Sequence, residues 1–385
     1  MKKAISVIVP LYFGKCYIES VVSQIEKCAD EIKDYEMQLV FSNDAPEETI
    51  EDIYVSSKIS IKIINTDHNA GIHKARINGL QNSDGNYILF LDQDDKIKQN
   101  YFVSQLSKIG TADAVVCGAV SGGRIKYNID RPLDKAISRK CMINEGNMIL
   151  SPGQVLIRRE AVPDSWTKNV MQQNGADDWL LWLCMHFENR KFATNDEVLF
   201  TREVHYSNAS FDSQKMTVSE KEVVKIIEQE HLLCAEERRC LRELLPKLQE
   251  NRMRENQKWK KMFLILNDWF LVCNRGGSIT DYLKNKGFKK IAVYGYGYLG
   301  KTLCENLKNE NTEVSYVIDK NAAFLEINQK CCTIDTALEA VDAVIVTLVS
   351  ENRNELNGRL REKFSAEVFW LEDIISDLSR NDRVV

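Results

Sequence analysis

Residues 86–95 read NYILFLDQDD, in which four apolar residues lead into three closely spaced aspartates. Such a run is typical of a buried strand that ends at the edge of its sheet. Three carboxylates this close repel one another, and a surface turn needs only one of them to cap itself. We therefore expect a divalent cation to compensate their charge, because Mg²⁺ and Mn²⁺ prefer hard carboxylate oxygens as ligands. The alternative is a solvated acidic turn.

Similar apolar strands alternate with helical patterns over the first 215 residues. The strand patterns include ISVIVPLY from residue 5 and MQLVFSND from residue 37, with the helical pattern YIESVVSQIEKCADEI between them. Continuous apolar strands that return through helices predict an α/β fold with a mostly parallel sheet. The ligand site of such a sheet lies at the carboxyl ends of its strands.

Shifts in composition predict three regions. Residues 1–215 hold the α/β domain, and residues 216–275 are helical and heavily charged, which predicts a connector of packed helices. Residues 276–385 open with a glycine pair and return to strand and helix patterns, which predicts a second, smaller βαβ domain. Within the connector, KWKKMFLILNDWF at residues 258–270 mixes lysines with aromatic residues and could contact a membrane surface. Its nearly continuous apolar run favours a packing helix instead.

Composition limits the class of protein. The 385 residues are 44% hydrophobic and 28% charged, as in soluble globular proteins. The formal net charge of -5 offers no broad basic field, so we expect no nucleic-acid partner. Eleven scattered cysteines without a CxxC pair predict reduced thiols and a cytoplasmic location. No apolar run is long enough to span a bilayer, and Pro10 interrupts the first one, which favours a strand over a signal peptide.

Other side chains at strand ends suggest a nucleotide site. Pro10 and Tyr12 end the first predicted strand, and Asp44 ends the second. An aromatic ring can stack on a nucleobase, and a carboxylate can accept a hydrogen bond from a base N–H. The alternative role of Asp44 is to cap the turn that follows it. In GIHKARINGL, Arg76 lies in the first turns of a predicted helix, where it can pair with a diphosphate or with the acidic cluster.

A pair of acids begins the apolar helical pattern ADDWLLWL at residue 176. One of Asp177 and Asp178 is sufficient to stabilise the start of that helix, which leaves the other free to face a pocket. A carboxylate there can deprotonate an acceptor hydroxyl as that hydroxyl attacks from the face opposite a leaving diphosphate. This geometry predicts inversion by direct displacement.

Residues 4 to about 210 resemble a family 2 glycosyltransferase of the GT-A fold. The resemblance rests on six segments in order, which are VIVPLY, FSNDAPEE, NAGIHKARINGL, DGNYILFLDQDD, NGADDWLLWL and TREVHYSNAS. It implies an enzyme that moves a sugar from a nucleotide-sugar donor, expected to be a UDP-sugar, onto a hydroxyl of a glycan or lipid-linked acceptor. It also implies Mn²⁺ or Mg²⁺ as the cofactor and a role in surface polysaccharide biosynthesis.

The resemblance assigns the nucleotide to residues at several strand ends. It implies that Pro10, Tyr12 and Asp44 hold the base and ribose. It also implies that Arg76 assists near the nucleotide and that Arg202 contacts a phosphate. The string QENRM lacks the tryptophan of the Gln-x-x-Arg-Trp motif that processive members carry, so we expect one sugar addition per binding event.

The same resemblance assigns the catalytic base and the metal. Asp178 occupies the position of the general base, beside Asp177, where a glutamate is commoner. The DxD motif that contacts ribose and metal is matched by Asp92 and Asp94. His205 matches a position that often completes the metal coordination. The predicted metal ligands are therefore Asp92, Asp94, Asp95 and His205.

The C-terminal region contains a second nucleotide-binding pattern. VYGYGYLG places Gly295, Gly297 and Gly300 in GxGxxG spacing at a predicted helix start, and Asp319 ends the next predicted strand. The region resembles the small Rossmann-like domains beside some sugar acyltransferase and methyltransferase domains. Because the chain offers no substrate domain to accompany it, we expect assembly or regulation rather than NAD-linked catalysis.

Two alternatives to a working transferase remain at this point. The first domain could be an inactive nucleotide-sugar-binding scaffold or sensor, although its intact acidic motifs disfavour this. The C-terminal region could bind NAD, which is the less favoured reading. The sequence also leaves open a homo-oligomer and a peripheral contact with the inner face of the membrane.

Overall fold

The computed structural model describes residues 3–51, 54–122, 124–127, 131–203, 212–308, 312–325, 329–337, 340–349 and 352–381. The chain forms two compact units, Met1–Asn251 and Arg252–Val385. One long helix, Ala235–Asn274, contributes residues to both units. The predicted division into three regions with bounds at residues 215 and 275 stays a prediction.

The first unit contains nine strands and eight helices within the described ranges, besides the start of the long helix. Strands β1 to β9 span Lys3–Leu11, Tyr35–Asn43, Ser60–Asn65, Tyr87–Phe90, Lys96–Ile97, Ala114–Ser121, Arg124–Ile125, Val155–Arg158 and Phe192–Arg202. Helices α1 to α9 span Ile18–Glu31, Ile72–Gln81, Tyr101–Ile109, Leu133–Ala136, Arg139–Asn144, Asp164–Lys168, Asp177–Phe187, Ser213–Gln229 and Ala235–Asn274.

These strands form one sheet in the order β3-β2-β1-β4-β8-β6-β9-β5, with β7 paired to β6. Strand β1 is parallel to β2 and β4, β2 to β3, and β6 to β9. The pairs of β8 with β4 and β6, of β5 with β9, and of β7 with β6 are antiparallel. The predicted α/β fold with a mostly parallel sheet is confirmed, since the parallel ladders hold most of the paired residues. The antiparallel pairs are short, and the sequence did not reveal them because a short apolar strand has the same residue pattern in either direction.

Both faces of the central strands are buried. Ile88 and Phe90 of β4 pack on one side of the sheet, together with Trp166 of α6 and most of α7. Leu89 and Leu91 pack on the other side, against α1 and α3. Side chains alternate across a strand, so a strand covered on both faces is apolar at every position. Because β1 is parallel to β2 and β4, the polar residues that follow these three strands lie at one edge of the sheet.

The second unit contains a five-stranded sheet within the described ranges. Strands β10 to β14 span Lys290–Tyr294, Glu313–Ile318, Cys331–Cys332, Ala343–Val346 and Glu367–Trp370. Helices α10 to α13 span Ile279–Asn285, Tyr298–Asn306, Arg353–Lys363 and Leu371–Asn381. The order is β12-β11-β10-β13-β14, and the pairs are parallel. The predicted smaller βαβ domain is confirmed, with a strand order typical of doubly wound sheets.

The glycine-rich loop follows β10 and leads into α11. Gly295 has a φ of 97°, which favours glycine, and a Cβ on Gly300 would lie 2.0 Å from the Gly295 carbonyl oxygen. Asp319 accepts hydrogen bonds from the Tyr296 N–H at 2.8 Å and from the Asn321 N–H at 2.9 Å. The carboxylate therefore holds the loop against the end of β11, and ligand binding by this unit stays a prediction.

The C-terminal half of α9 is buried on one side only. Met262, Ile265 and Trp269 pack into the core of the second unit. Phe263 and Phe270 are exposed. The prediction that the segment KWKKMFLILNDWF is a packing helix is thus correct for one face of the helix and wrong for the other. A continuous apolar run does not show which faces of a helix are covered. Within the described ranges, no helix has both the length and the apolar character needed to cross a bilayer.

Candidate active site

A cavity of about 550 Å³ lies at the carboxyl ends of β1, β2 and β4. This is the edge of the sheet where the sequence predicted a site. Ten of the eleven predicted site residues line it, namely Pro10, Tyr12, Asp44, Arg76, Asp92, Asp94, Asp95, Asp177, Asp178 and Arg202. The eleventh, His205, lies outside the described residues.

A buried arginine joins two of the acidic motifs. Arg76, on α2, is 3% exposed. Its Nη2 donates to Asp92 Oδ1 and its Nη1 donates to Asp177 Oδ2, each at 2.5 Å. Such charge-assisted hydrogen bonds are the strongest kind between side chains. Of the two roles predicted for Arg76, the structure shows pairing with the acidic cluster, so part of the repulsion after β4 is compensated by the protein itself.

Replacing Arg76 with methionine is expected to destabilise the first unit. The change leaves two carboxylates without their cation in a buried place, and loss of one partner from a buried ion pair costs about 3–5 kcal/mol. Urea unfolding followed by tryptophan fluorescence measures this, because Trp166, Trp179 and Trp182 are buried in the same unit. Arg242→Met is the matched control, since the Arg242–Glu228 pair lies at the surface and contributes little. Equal stability of the two variants would contradict the bridging role.

The three aspartates after β4 have different surroundings. Asp92 is paired with Arg76, and Asp94 is half-buried at the cavity wall. Asp95 is buried, and its carboxylate accepts hydrogen bonds from the Ser151 hydroxyl at 3.0 Å and from the Glu203 N–H at 3.2 Å. Burial, with the nearby charges of Asp92 and Asp94, raises the pKa of Asp95 to about 8. Asp95 therefore joins the end of β4 to the end of β9.

The donor atoms at the cavity wall fit a hard divalent cation. Within the described ranges, no group of three or more Asp, Glu, His or Cys side chains is arranged to hold an ion. Mg²⁺ is commonly bound by only one or two carboxylates, with substrate phosphates and water as the other ligands. Asp94 and Asp92 offer such a partial set. The assignment of Asp92, Asp94, Asp95 and His205 as metal ligands stays a prediction.

Gln93 is a residue that the sequence analysis missed. Its side-chain amide forms two hydrogen bonds with the backbone of Tyr12: Oε1 accepts from the N–H at 3.0 Å, and Nε2 donates to the carbonyl at 3.3 Å. A Cβ on Gly14 would lie 2.2 Å from Gln93 Oε1, so the glycine makes room for this contact. The pair fixes the end of β1 beside the end of β4 and leaves the Tyr12 ring exposed at the cavity.

Asp44 holds a loop rather than its own turn. Its carboxylate is buried and accepts hydrogen bonds from the N–H groups of Ala70, at 2.9 Å, and Gly71, at 2.7 Å, just before α2. The turn after β2 is instead capped by Asn43, whose Oδ1 accepts from the Ala45 N–H at 3.1 Å. The alternative role in turn capping is therefore wrong, and base recognition by Asp44 stays a prediction.

The two acids at the start of α7 differ in exposure and in partners. Asp177 is buried against Arg76. Asp178 is half-buried and accepts from Asn147 Nδ2 at 2.9 Å and from the Trp179 N–H at 2.7 Å. Burial, together with the charge of Asp177, raises the pKa of Asp178 to about 7, although Arg76 opposes the shift. Asp178 is thus the acid of this pair that is poised to exchange a proton near neutral pH.

A comparison with known proteins shows what the first unit is similar to. Residues 6–166 match the family model of glycosyl transferase family 2. The predicted resemblance to a family 2 glycosyltransferase is confirmed for this segment. The match includes Asp44, Arg76 and the acids after β4, and it ends before Asp177.

Two curated relatives are glycosyltransferases by name. Glycosyltransferase GlyA of Streptococcus pneumoniae serotype 4 is 34% identical over 110 residues, which are 27% of this chain and 15% of GlyA. TuaG of Bacillus subtilis strain 168, named for teichuronic acid biosynthesis, is 25% identical over 185 residues, which are 46% of this chain and 71% of TuaG. The matched part of the chain thus spans a small fraction of the first relative.

Two solved structures are similar in part. Staphylococcus aureus TarS 1-349 in complex with UDP is 19% identical, with a TM-score of 0.45 over 63% of this chain and 70% of that chain. Mannosyltransferase PcManGT from Pyrobaculum calidifontis in complex with GDP-Man and Mn²⁺ is 13% identical, with a TM-score of 0.41 over 65% of this chain and 73% of that chain. At these scores neither structure decides the fold, which the strand order describes directly.

Proposed function

We propose that the first unit transfers a sugar from a nucleoside diphosphate sugar, expected to be a UDP-sugar, onto a hydroxyl of a glycan or lipid-linked acceptor. The observation that carries this proposal is the cavity at the carboxyl ends of β1, β2 and β4, where the family's acidic motif, a buried arginine and a separate acid with a raised pKa meet. The name of TuaG supports surface polysaccharide biosynthesis as the setting.

The cavity suits a nucleotide diphosphate in size and charge. Its volume of about 550 Å³ falls in the range of small-molecule sites. Tyr12 offers an exposed aromatic face and Asp44 a carboxylate at one part of the wall. Arg202 and Lys215 also line the cavity, and we assign them to the donor phosphates, since both carry positive charge. Lys215, on α8, was not singled out in the sequence because a lysine in a charged helix carries no signal.

The proposed metal site is at Asp94 and Asp92. A bound Mn²⁺ or Mg²⁺ supplies positive charge that stabilises the departing diphosphate. The ion pair with Arg76 holds the Asp92 carboxylate in place. The chain's own contribution is therefore a pair of carboxylates at the cavity wall, one of them fixed by a buried cation.

Asp178 is proposed as the general base. The acceptor oxygen attacks the anomeric carbon and forms the new glycosidic bond while the bond to the diphosphate breaks. The hydroxyl proton passes to the Asp178 carboxylate, and the products are a glycoside of inverted configuration and a nucleoside diphosphate. With its pKa near 7, Asp178 is ionised often enough at neutral pH to accept that proton and is more basic than an ordinary aspartate.

The hydrogen bond from Asn147 is expected to set the pH dependence of the reaction. Its Oδ1 accepts from the Ile149 N–H at 3.1 Å, so its NH₂ group is the one that faces Asp178. This donor favours the ionised carboxylate and holds the pKa of Asp178 down. In Asn147→Ala the pKa rises, and the acid limb of the rate profile moves to higher pH by about half to one unit.

The matched control for this change is Asn144→Ala. The Asn144 amide is exposed and donates to the Lys140 carbonyl. Rates of nucleotide release between pH 5.5 and pH 9 give the two profiles. An acid limb that stays in place in Asn147→Ala would show that the hydrogen bond does not tune the base.

The proposed function is tested by measuring nucleoside diphosphate release from the full chain. The donors are a panel of UDP-sugars and GDP-mannose, each with and without Mn²⁺ and with a mixture of glycan acceptors. The expected result is release that requires both the metal and one class of donor. Donor binding without release would favour the alternative of a nucleotide-sugar sensor or scaffold, and neither binding nor release would overturn the proposal.

A further inference from the structure

Helix α9 carries an exposed apolar face on the second unit. Trp259, Phe263, Leu264, Phe270 and Leu271 are 40–66% exposed, and we refer to them as the aromatic face. They recur at intervals of four and seven residues, so they lie on one side of the helix. The opposite side packs into the core of the second unit. Exposed apolar patches of this kind mark surfaces that bind a protein or a membrane.

The aromatic face continues onto a neighbouring helix. The rings of Trp259 and Tyr298, the first residue of α11, lie 5.3 Å apart between centroids. Tyr298 is itself 46% exposed. The patch is therefore formed by two helices of the same unit, and the ring contact fixes Trp259 relative to the fold.

Positive charge precedes the aromatic face. The ten residues RMRENQKWKK at 252–261 contain five basic residues and one acidic residue. Lys258 and Lys260 are exposed on either side of Trp259. Between residues 262 and 274 the charged residue is Asp268, which follows Leu264 by four residues and therefore borders the aromatic face. Lys261 is paired with Glu372, so the positive charge beside the face that is open to solvent includes Lys258 and Lys260.

We propose that the aromatic face docks the protein on an anionic lipid surface. Aromatic residues are favoured at the boundary between headgroups and hydrocarbon, and neighbouring lysines are attracted by anionic headgroups. A second copy of the chain would bring the same excess of basic residues, with Glu255 and Asp268 as the acids between residues 252 and 274. An anionic lipid surface offers negative charge to the exposed Lys258 and Lys260, which a second copy of this face does not. The proposal does not depend on sugar transfer.

The proposal is tested by flotation of the full chain with vesicles at 0.15 M salt, without donor or metal. Vesicles of mixed phosphatidylglycerol and phosphatidylcholine are compared with vesicles of phosphatidylcholine alone. We expect binding to the anionic vesicles that weakens as salt is raised, because screening reduces the attraction of the lysines. Equal binding to both vesicle types, or none to either, would overturn the proposal.

Variants of the face locate the contact. Phe263→Ser combined with Phe270→Ser is expected to reduce binding by roughly tenfold or more, since two apolar side chains no longer leave water. Lys258→Gln with Lys260→Gln is expected to reduce it by roughly fivefold for each lysine. The matched control is Val218→Ser on α8, where an exposed apolar residue of the first unit is removed. If the control loses binding as strongly as the phenylalanine variant, the aromatic face is not the contact.

Tryptophan fluorescence reports the contact directly. Trp259 is 46% exposed, whereas the other five tryptophans are at most 4% exposed. A blue shift and quenching by brominated lipid on vesicle binding are therefore expected from Trp259, and both should disappear in Trp259→Phe while flotation is retained.

Light scattering tests the alternative that a second copy of the chain binds the aromatic face. A dimer that the phenylalanine variant converts to monomer, with no vesicle binding by either, would assign the face to a second copy and overturn the proposal.

Discussion

Asp94→Asn is expected to reduce metal-dependent sugar transfer by about 10²–10³-fold, the effect of losing one electrostatic contact to the charge that develops on the leaving group. The fold should change little, because Asp94 is half-buried at the cavity wall and the ion pairs of Arg76 with Asp92 and Asp177 are left intact. The measurement is the initial rate of nucleoside diphosphate release over a titration with Mn²⁺. The parent should show saturable activation by the metal, and the variant should not.

The matched control for Asp94→Asn is Asp164→Asn. Asp164 has an exposed side chain and lies on α6, outside the cavity. Its replacement removes the same charge from the chain without touching the proposed metal site, so it should leave both the rate and the Mn²⁺ dependence unchanged. If Asp94→Asn kept the rate and the metal dependence of the parent, the metal assignment would be wrong.

Asp178→Asn is expected to reduce the rate constant of transfer by about 10²–10⁴-fold, the usual contribution of a general base. An amide keeps the shape of the side chain and can still accept from the Trp179 N–H, but it cannot take the acceptor proton. Donor affinity should therefore remain near that of the parent in a thermal-shift titration. The acid limb of the rate profile near pH 7 should also disappear, because the group that titrates there is gone.

Asp177→Asn provides the contrast that separates the two acids. Asp177 is buried and paired with Arg76, so its replacement leaves a buried guanidinium with one carboxylate instead of two. We expect lower stability in urea, which Asp178→Asn should not show to the same extent. If Asp178→Asn kept the parent rate while Asp177→Asn was inactive and stable, Asp177 would be the general base and Asp178 would not.

The edge of the sheet that carries the site was predictable from NYILFLDQDD and the strands before it. Apolar residues at every position of a strand require cover on both faces, and Ile88 and Leu89 indeed pack on opposite sides. Parallel neighbours then bring the residues after β1, β2 and β4 to one edge, which is why Tyr12, Asp44 and Asp92 line the same cavity.

The partners of these side chains were not predictable, because they come from distant parts of the chain. Arg76 was expected near the nucleotide or the acids, and only the fold shows that it lies between Asp92 and Asp177. Gln93 and Asn147 carry no motif, and their contacts depend on the exact placement of two loops. A side-chain amide can donate to or accept from many different groups, so the residue type alone does not predict its hydrogen-bond partner.

The central claim is that the acids after β4 receive a nucleoside diphosphate together with a divalent cation, and thermal unfolding of the full chain tests it most directly. Mn²⁺ with a saturating nucleotide, about 100 times its Kd, should raise the Tm of the first unit by about 5–10 °C, and either component alone should do so less. The same mixture should leave the Tm of Asp94→Asn near that of the metal-free variant. No change in the parent with any nucleotide, with or without Mn²⁺ or Mg²⁺, would contradict the claim.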